Sequence, residues 1–246
     1  MPLPVTHWFS RRATLAALGA LGLVAFTANA GAAPTLAIVT EPVGGERLAK
    51  LGPQFDVWKK SQLVSGVKLL KAQPHQKEAG FANLAIVTLP SDKAFKTWSA
   101  DMQAKAGPGV IVRQADLVKH EGQASKTPAQ AVHVASLYAT HVPADDYKVY
   151  TSRYIRPNMN LQRASGIMSQ YTMYLERDPV EGKVRSLLVM EYANEEAYAR
   201  REKVKAEGKA KLTADTEWAR INAKKESIRT DISSTASTEV SALSVP

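Results

Sequence analysis

Residues 84–95 read LAIVTLPSDKAF, and residues 187–198 read LLVMEYANEEAY. Each stretch begins with an apolar run that is typical of a buried strand. A short polar turn follows, and then a segment with helical spacing whose first turn carries an aromatic residue, Phe95 in one copy and Tyr198 in the other. The same succession at two places in one chain indicates that the protein is built from two copies of one unit.

The repeated succession extends outward from these two stretches. Residues 35–120 and 131–240 both show the order strand, helix, strand, strand, helix, strand, with glycine, proline and polar residues at the boundaries. The segment between them is polar, contains Pro128 and lacks periodicity. We therefore predict four segments, which are a leader at 1–30, a first repeat at 31–122, a linker at 123–130 and a second repeat at 131–246.

Local signals place several element ends within this order. Ser91 is predicted to cap the helix that starts at Asp92, and Asp215 is one of two candidate caps within the last helical region. Arg156-Pro157-Asn158 is predicted to interrupt the helix over 143–164, because proline lacks the backbone donor. The last strand is predicted near residues 228–233, and whether the Ser/Thr-rich end of the chain extends it stays open.

The alignment of residues 84–95 with 187–198 resembles the dimeric α/β-barrel superfamily, whose unit is a ferredoxin-like βαββαβ fold. The resemblance covers nearly all of the chain after the leader, and it lies in pattern rather than in a diagnostic motif. It implies an α+β protein in which tandem ferredoxin-like repeats form a single-chain α/β barrel. Each antiparallel sheet has helices on one face only, so its other face has to be buried against something.

The resemblance also bounds the function. The superfamily includes cofactor-independent monooxygenases, isomerases, cyclases and lyases that act on aromatic or polyketide-like molecules, haem-binding enzymes, and proteins with no known reaction. Its members share no single catalytic residue, so no role transfers position by position. The exported haem peroxidases of the superfamily carry a Gly-x-x-Asp-Gly motif, which this sequence lacks.

The beginning of the chain has the features of an export signal. Arg11-Arg12 precede an uncharged run, and Ala28-Asn29-Ala30 fits the small-x-small pattern of signal peptidase sites. The segment resembles a twin-arginine signal, with an ordinary secretory signal as the alternative. Its apolar stretch, 16–26, is shorter than the ~20 residues that span a bilayer. We expect cleavage after Ala30, a periplasmic or secreted protein, and no stable membrane insertion afterwards.

Composition excludes several kinds of chemistry. The chain has no cysteine, so neither disulfides nor thiolates contribute. The formal net charge is +9, but the basic residues are spread along the chain without a stripe of interleaved aromatic residues. Such a diffuse excess is typical of a solvated surface, and we expect no nucleic-acid partner. Metal-ligand spacing such as His-x-x-x-His is absent, and we expect no metal site.

The residues that could carry chemistry lie in the second repeat, which holds all eight tyrosines. Alternate side chains of a strand share a face, so the strand at 132–142 carries His133 and His141 on one face. Histidine titrates near neutrality, but these two lie roughly 26 Å apart along an extended strand, too far for one metal ion. We predict a catalytic set of His133, Tyr171 and Tyr192. The predicted substrate-binding residues are Tyr138, His141, Tyr154, Arg156 and Gln170.

Two of these predictions rest on a helical pattern. Tyr147, Tyr150 and Tyr154 step by three and four residues, so they share one helical face. The alternative interpretation is that tyrosines fill a core and leave their hydroxyls at its edge. Arg156 beside the predicted helix break is well placed to meet an anionic group.

Together these features predict an exported α/β barrel that binds a small hydrophobic or aromatic molecule in a pocket between its two sheets. Acid–base chemistry through histidine and tyrosine would make it a cofactor-independent lyase, isomerase or monooxygenase, and we expect no cofactor. The alternatives are a non-catalytic binding or assembly protein and a haem protein with His133 as axial ligand. Whether the protein forms a homo-oligomer stays open.

Overall fold

Both halves of the chain fold in the order strand, helix, strand, strand, helix, strand. The computed structural model describes residues 34–74, 76, 79–180 and 182–240, so the predicted leader and the last six residues lie outside it. The elements of the first half are β1 (Thr35–Glu41), α1 (Arg47–Lys50), α2 (Gly52–Lys60), β2 (Gly66–Ala72), β3 (Asn83–Leu89), α3 (Asp92–Ala106) and β4 (Ile111–Gly122).

The second half repeats this order with longer helical connections. A short 3-10 turn at Pro128–Gln130 precedes it. Its elements are β5 (Val132–Thr140), α4 (Ala144–Tyr150), a π-helical segment (Thr151–Ile155), α5 (Arg156–Ala164), β6 (Met168–Glu176), β7 (Arg185–Tyr192), α6 (Glu195–Ala199), α7 (Arg201–Leu212), α8 (Thr216–Ala223), α9 (Lys225–Ile228) and β8 (Arg229–Glu239). Within the described residues, no helix combines the length and the apolar character needed to cross a bilayer.

Eight strands of the described residues close into an antiparallel barrel in the order β1-β3-β2-β8-β5-β7-β6-β4. Each half contributes a four-stranded sheet, and two junctions join the sheets. At one junction Leu70–Ala72 of β2 pair with Ser237–Glu239 of β8. At the other, Ala115–Gly122 of β4 pair with Gln170–Glu176 of β6. The predicted α+β class, with tandem ferredoxin-like repeats in a single-chain barrel, is confirmed.

The strands bury both of their faces, because alternate side chains point into the barrel and towards the helices. One apolar cluster fills the barrel interior and includes Ile38, Leu84 and Leu187. A second cluster, around Trp58 and Trp98, lies between the first sheet and α1–α3. The third lies between the second sheet and its longer helical layer, and it is rich in tyrosine. The packing of these three clusters determines where space remains for a ligand.

Equivalent caps start the second helix of each repeat. The Ser91 hydroxyl accepts a hydrogen bond from the Ala94 backbone N–H at 3.2 Å, and the Asn194 side chain accepts one from Ala197 at 2.8 Å. Asp215 caps α8 in the same way through Trp218 N–H. The predicted caps at Ser91 and Asp215 are confirmed, and each satisfies a helix-terminal donor that would otherwise lack a partner.

The predicted interruption at Arg156-Pro157-Asn158 is wrong. The chain stays helical through this point because the π-helical segment precedes it, and the Arg156 N–H donates to the carbonyl of Thr151, five residues back. Pro157 then falls in the first turn of α5, where its missing N–H costs little. Arg156 is therefore part of a continuous helical run.

The last strand is longer than its predicted span of 228–233. It runs through Glu239, because its serine and threonine residues pair with β5 and its end pairs with β2 at the first junction. Thr235 and Ser237 are fully buried there. The Ser/Thr-rich segment thus extends the sheet as far as Glu239, which resolves that open alternative for the described residues.

Gly122, the last residue of β4, is held in a conformation that favours glycine. Its φ is +105°, and a Cβ placed there would lie 2.2 Å from the Ser169 carbonyl oxygen. The contact occurs where the pairing of β6 with β7 shifts register between Met168 and Gln170, as in a β-bulge. The close approach of two backbones therefore requires a residue without a side chain.

We expect Gly122→Ala to lower the free energy of unfolding more than Gly109→Ala. Gly109 also has a positive φ, +91°, but a Cβ there meets nothing within 4 Å. The control should therefore lose only about 1–2 kcal/mol of stability, which is the conformational cost of a side chain at positive φ. Gly122→Ala should lose about 1–3 kcal/mol more through overpacking. Urea unfolding of both variants measures the difference, and equal losses would contradict this account of the β4–β6 junction.

Candidate functional site

Among the described residues, two clefts are lined by residues of the predicted site. The larger, of about 810 Å³, lies between the outer face of the second sheet and the helices; we call it the helix-side cleft. The smaller, of about 280 Å³, opens at one end of the barrel; we call it the barrel-end cleft. The helix-side cleft is defined by Tyr138, Tyr154, Gln162, Tyr192, Trp218 and Arg229. The barrel-end cleft is defined by Lys68, His120, His133, Gln170, Tyr174 and Glu191.

A column of four aromatic rings ends at the helix-side cleft, which is lined by two of them, Tyr154 and Trp218. Tyr147, Tyr150 and Tyr154 follow one another along α4 and the π-helical segment, with ring centroids 5.5 and 5.1 Å apart. Tyr154 then stacks on Trp218 of α8 at 4.9 Å, with the ring planes 20° apart. Spacings of this size are typical of favourable aromatic packing. Both faces of the Tyr154 ring are covered by this stacking, so the column holds the apolar surface that Tyr154 and Trp218 offer to the cleft at a fixed position.

Hydrogen bonds hold the polar ends of these rings. The Tyr154 hydroxyl donates to the Asn222 side chain at 2.8 Å, and the Trp218 indole N–H donates to the Tyr154 carbonyl at 3.1 Å. On the sheet side, the Tyr192 hydroxyl donates to Gln162 Oε1 at 3.0 Å. The cleft is therefore built on side chains that are already oriented before a ligand arrives.

The hydroxyls of Tyr154 and Tyr192 in this cleft are neutral at physiological pH. Burial raises the pKa of Tyr154 and of Tyr192, because it disfavours the phenolate. Such hydroxyls can donate or accept hydrogen bonds but do not act as bases near pH 7. The chemistry they offer is therefore orientation and hydrogen bonding of a ligand.

Arg229 lies beneath the aromatic residues at the start of β8. Its guanidinium carbon is 3.7 Å from the ring centroid of Tyr138 and 5.7 Å from that of Tyr150. Guanidinium groups stack favourably on aromatic faces. The cleft thus combines an aromatic wall with a largely buried cation.

The entrance to the helix-side cleft is predominantly basic. Five basic and two acidic residues line the cleft in the described structure: Arg201, Lys205, Lys209, Lys225 and Arg229 against Glu202 and Asp231. Lys205 is paired with Glu202 at 3.1 Å. The remaining positive balance favours approach of an anionic or electron-rich molecule.

The barrel-end cleft holds a cluster of charged groups around His133. Its Nδ1 lies 4.0 Å from a carboxylate oxygen of Glu191, and its Nε2 lies 3.5 Å from a carboxylate oxygen of Glu239. Lys68 of the first repeat lies within 3.6 Å of both carboxylates. Burial, with repulsion from Lys68 added, lowers the pKa of His133 to about 3, so the ring is neutral at pH 7. This cluster links the two repeats beside the β2–β8 junction.

Comparison with known proteins identifies the architecture. No protein-family model matches the sequence, and no curated protein sequence matches it. Among solved structures, an anthrone oxidase-like protein superposes with a TM-score of 0.55 at 9% identity, over 84% of this chain and 91% of that one. A protein of Fusobacterium nucleatum provisionally assigned as a monooxygenase gives a TM-score of 0.50 at 10% identity, over 84% and 92%. The fold is the ferredoxin-like α+β barrel.

The α+β barrel separates the predicted site residues into three groups. Tyr138, Tyr154 and Tyr192 line the helix-side cleft, whereas His133 and Gln170 line the barrel-end cleft. The other three predicted residues, Tyr171, His141 and Arg156, line neither.

The residues outside both clefts have other surroundings. Tyr171 is fully buried in the cluster between the second sheet and the helices. The exposed His141 forms a 2.6 Å hydrogen bond with Thr230, and Arg156 pairs with Glu121 at 2.8 Å.

The predicted catalytic set of His133, Tyr171 and Tyr192 is therefore not assembled in one place. The register pairs Val132 with Tyr192 and His133 with Glu191. Side chains of adjacent residues point to opposite faces of the sheet, so His133 points into the barrel while Tyr192 points towards the helices. The predicted pocket between the sheets corresponds to the barrel-end cleft. This cleft is smaller than the helix-side cleft, because apolar side chains of both sheets fill the barrel interior.

Several residues of the helix-side cleft were not predicted from the sequence. Arg229 follows a helical stretch with no local pattern that distinguishes it from other surface arginines. Gln162 and Trp218 lie on helices, where the cleft arises only from how α5, α7 and α8 pack together. The cap at Asp215 was the one sequence signal that could have placed Trp218, three residues later, in a first helical turn.

Haem does not fit the residues around the predicted ligand His133. An axial histidine has to present one ring nitrogen to the iron. Neither ring nitrogen of His133 has a hydrogen-bond partner among the described residues, but a carboxylate oxygen lies 4.0 Å from one and 3.5 Å from the other, on the sides where an iron would have to bind. The 280 Å³ cleft is also smaller than the roughly 300–1,000 Å³ of ordinary ligand pockets. The described residues lining the helix-side cleft include no histidine, and nowhere in the described parts do three or more His, Asp or Glu residues group to hold a metal ion.

We expect His133 to make the α+β barrel sensitive to acid. Its folded-state pKa is about 3 against an ordinary value of 6.5, so the unfolded chain binds the proton first as the pH falls. Stability should therefore decrease from pH 6.5 to pH 5, by up to about 2 kcal/mol from this group. His133→Gln should reduce that slope in urea unfolding across the window.

The same replacement at His141, whose ring is exposed, controls for the loss of a histidine elsewhere. A slope that His133→Gln leaves intact would mean that Glu191 and Glu239 keep the imidazole protonated in the folded protein.

Proposed function

We propose that the protein binds a small aromatic molecule in the helix-side cleft. The observation that carries this proposal is the aromatic column, which borders a cleft of about 810 Å³. That volume falls within the roughly 300–1,000 Å³ of small-molecule sites, which combine apolar walls with a few fixed polar groups. The anthrone oxidase-like structure shares the fold alone, so the support for an aromatic ligand comes from the residues of this cleft.

The walls of the cleft suit a flat ligand. Opposite the aromatic column, the sheet contributes Leu188 and Met190, and α5 contributes Met159. Methionine adapts to irregular shapes and packs well on ring edges. A planar ring system between these walls would bury both of its faces, and the Asn222 amide, which lines the same cleft, would be the group that hydrogen-bonds its substituents.

The same geometry limits the reaction that the cleft would support. The hydroxyls of Tyr192 and Tyr154 already donate to Gln162 and Asn222, so towards a ligand they would act first as hydrogen-bond acceptors. A lyase, isomerase or monooxygenase reaction that used one of them as the acid would require the substrate to replace that hydrogen bond. Binding without catalysis is the second candidate function, favoured because His133 lies in the other cleft.

We also propose that the protein acts outside the cytoplasm. The support is the Arg11-Arg12 pair, the uncharged run after it and the Ala28-Asn29-Ala30 site. Native mass spectrometry of protein from the periplasm of its own host tests this together with the ligand. A chain beginning at Gly31 supports export with cleavage after Ala30, and the uncut chain contradicts it. An added mass of a small organic molecule supports the cleft, whereas a mass of haem would show another occupant.

We expect Ala206→Trp to block binding of a neutral aromatic probe. Ala206 is exposed on α7 and lines the cleft, so an indole at this position fills the space with little effect on the core. Isothermal titration with 2-naphthalenemethanol should show at least tenfold weaker binding than in the unaltered protein. Ala210→Trp, on the same helix but outside the cleft lining, is the matched control and should bind normally.

Two results would contradict the proposed function. One is an Ala206→Trp variant that binds the probe as well as the control does. The other is the absence of saturable binding to the unaltered protein.

A further inference from the structure

Arg229 is a largely buried cation whose charge is only weakly compensated by neighbouring carboxylates. Its side chain is 15% exposed, and the nearest carboxylate, Asp231, lies at 3.9 Å from Nε. Asp231 is itself 81% exposed, so water screens this pair strongly. Arg229 Nη1 is buried and makes no hydrogen bond of normal geometry among the described residues, so the neutral Tyr147 hydroxyl, which lies close enough to interact with the guanidinium, is no substitute for an anion.

An unpartnered buried donor is costly. Of the five N–H donors of a guanidinium, those on Nη1 are the ones left without a partner here. Stacking on Tyr138 satisfies the face of the group but not its edge, where the N–H bonds point. The planar edge of a guanidinium matches the two oxygens of a carboxylate. The missing partner is therefore a planar anion in the plane of the guanidinium.

The cleft brings this cation close to the aromatic column. Arg229 is 5.7 Å from the Tyr150 ring, which is 5.1 Å from Tyr154, which is 4.9 Å from Trp218. Arg229, Tyr154 and Trp218 all line the helix-side cleft. A molecule with a ring system and one carboxylate spans this arrangement, with the ring against the column and the carboxylate at the arginine.

The charge at the entrance agrees with an anionic ligand. Lys209 and Lys225 line the cleft together with Arg201. Basic groups at an entrance raise the local concentration of anions and their rate of association. The burial of Arg229, in contrast to these surface lysines, makes it the group that fixes the ligand's orientation.

We propose that the ligand is an aromatic carboxylic acid and that Arg229 binds its carboxylate. This inference rests on the proposed binding function and adds the chemical class of the ligand and the residue that selects it. Arg229 is a specificity-determining residue in this account, and no covalent step is involved.

The test compares two probes with the same ring system, 2-naphthoate and 2-naphthalenemethanol, by isothermal titration. The unaltered protein should bind the acid at least tenfold more tightly than the alcohol. Arg229→Met should remove that preference, because it should lower the affinity for the acid by a much larger factor than the affinity for the alcohol. Arg229→Lys should restore part of the preference, since it keeps the charge without the planar edge. Arg153→Met, which removes an exposed arginine paired with Glu217 outside the cleft lining, should change neither affinity.

Each outcome separates this inference from the proposed function. Equal affinities for acid and alcohol in the unaltered protein, or a folded Arg229→Met that keeps the preference, would overturn the role of Arg229 and leave aromatic binding standing. Binding of neither probe would overturn both. Acetate or inorganic phosphate binding as tightly as 2-naphthoate would show a site for anions in general, and would overturn the aromatic acid as ligand.

A readout in the unaltered protein covers the case in which Arg229→Met does not fold. With ¹⁵N-labelled arginine, 2-naphthoate should shift one buried Nε–H resonance, and 2-naphthalenemethanol should leave it in place. No selective shift would overturn the proposal.

Discussion

The structure depends on closing two four-stranded sheets into one barrel. Each sheet is covered by helices on one face only, so the other face would expose a row of apolar side chains such as Ile38 and Leu187. Backbone hydrogen bonds at the β2–β8 and β4–β6 junctions remove the free edges of both sheets at the same time. Because both sheets come from one chain, closure does not depend on protein concentration.

Closure also determines where a ligand can be accommodated. The barrel interior receives side chains from both sheets and is filled, except at the end where His133, Lys68 and Glu191 form a charged cluster. The outer faces differ between the halves. The first is packed by Trp58 and Trp98, which contact each other at 5.8 Å, whereas the second retains a cleft between the sheet and the helices, beside Tyr154 and Trp218. One repeat thus provides closure, and the other provides the candidate site.

The sequence was sufficient to predict the order of elements, the fold class and the caps at Ser91 and Asp215, because these depend on short-range patterns. It did not determine which strand face points inwards. That choice follows from the register between strands, which pairs Val132 with Tyr192 and so places Tyr192 and His133 on opposite faces. Two predicted binding residues, Tyr138 and Tyr154, share the helix-side cleft with Tyr192, which was predicted to be catalytic. Arg229 was missed because its burial arises from long-range packing. The predicted break at Pro157 failed because a π-helical turn five residues long absorbs the proline.

The two junctions of the barrel are unequal. β2 and β8 share three residue pairs, whereas β4 and β6 share seven. Openings of a folded protein occur first where the fewest interactions have to be broken. We therefore expect deuterium to enter the backbone amides of β2 and the end of β8 well before those of β4 and β6. Solvent would then reach the barrel interior through the β2–β8 junction only, while the β4–β6 junction keeps the two sheets together.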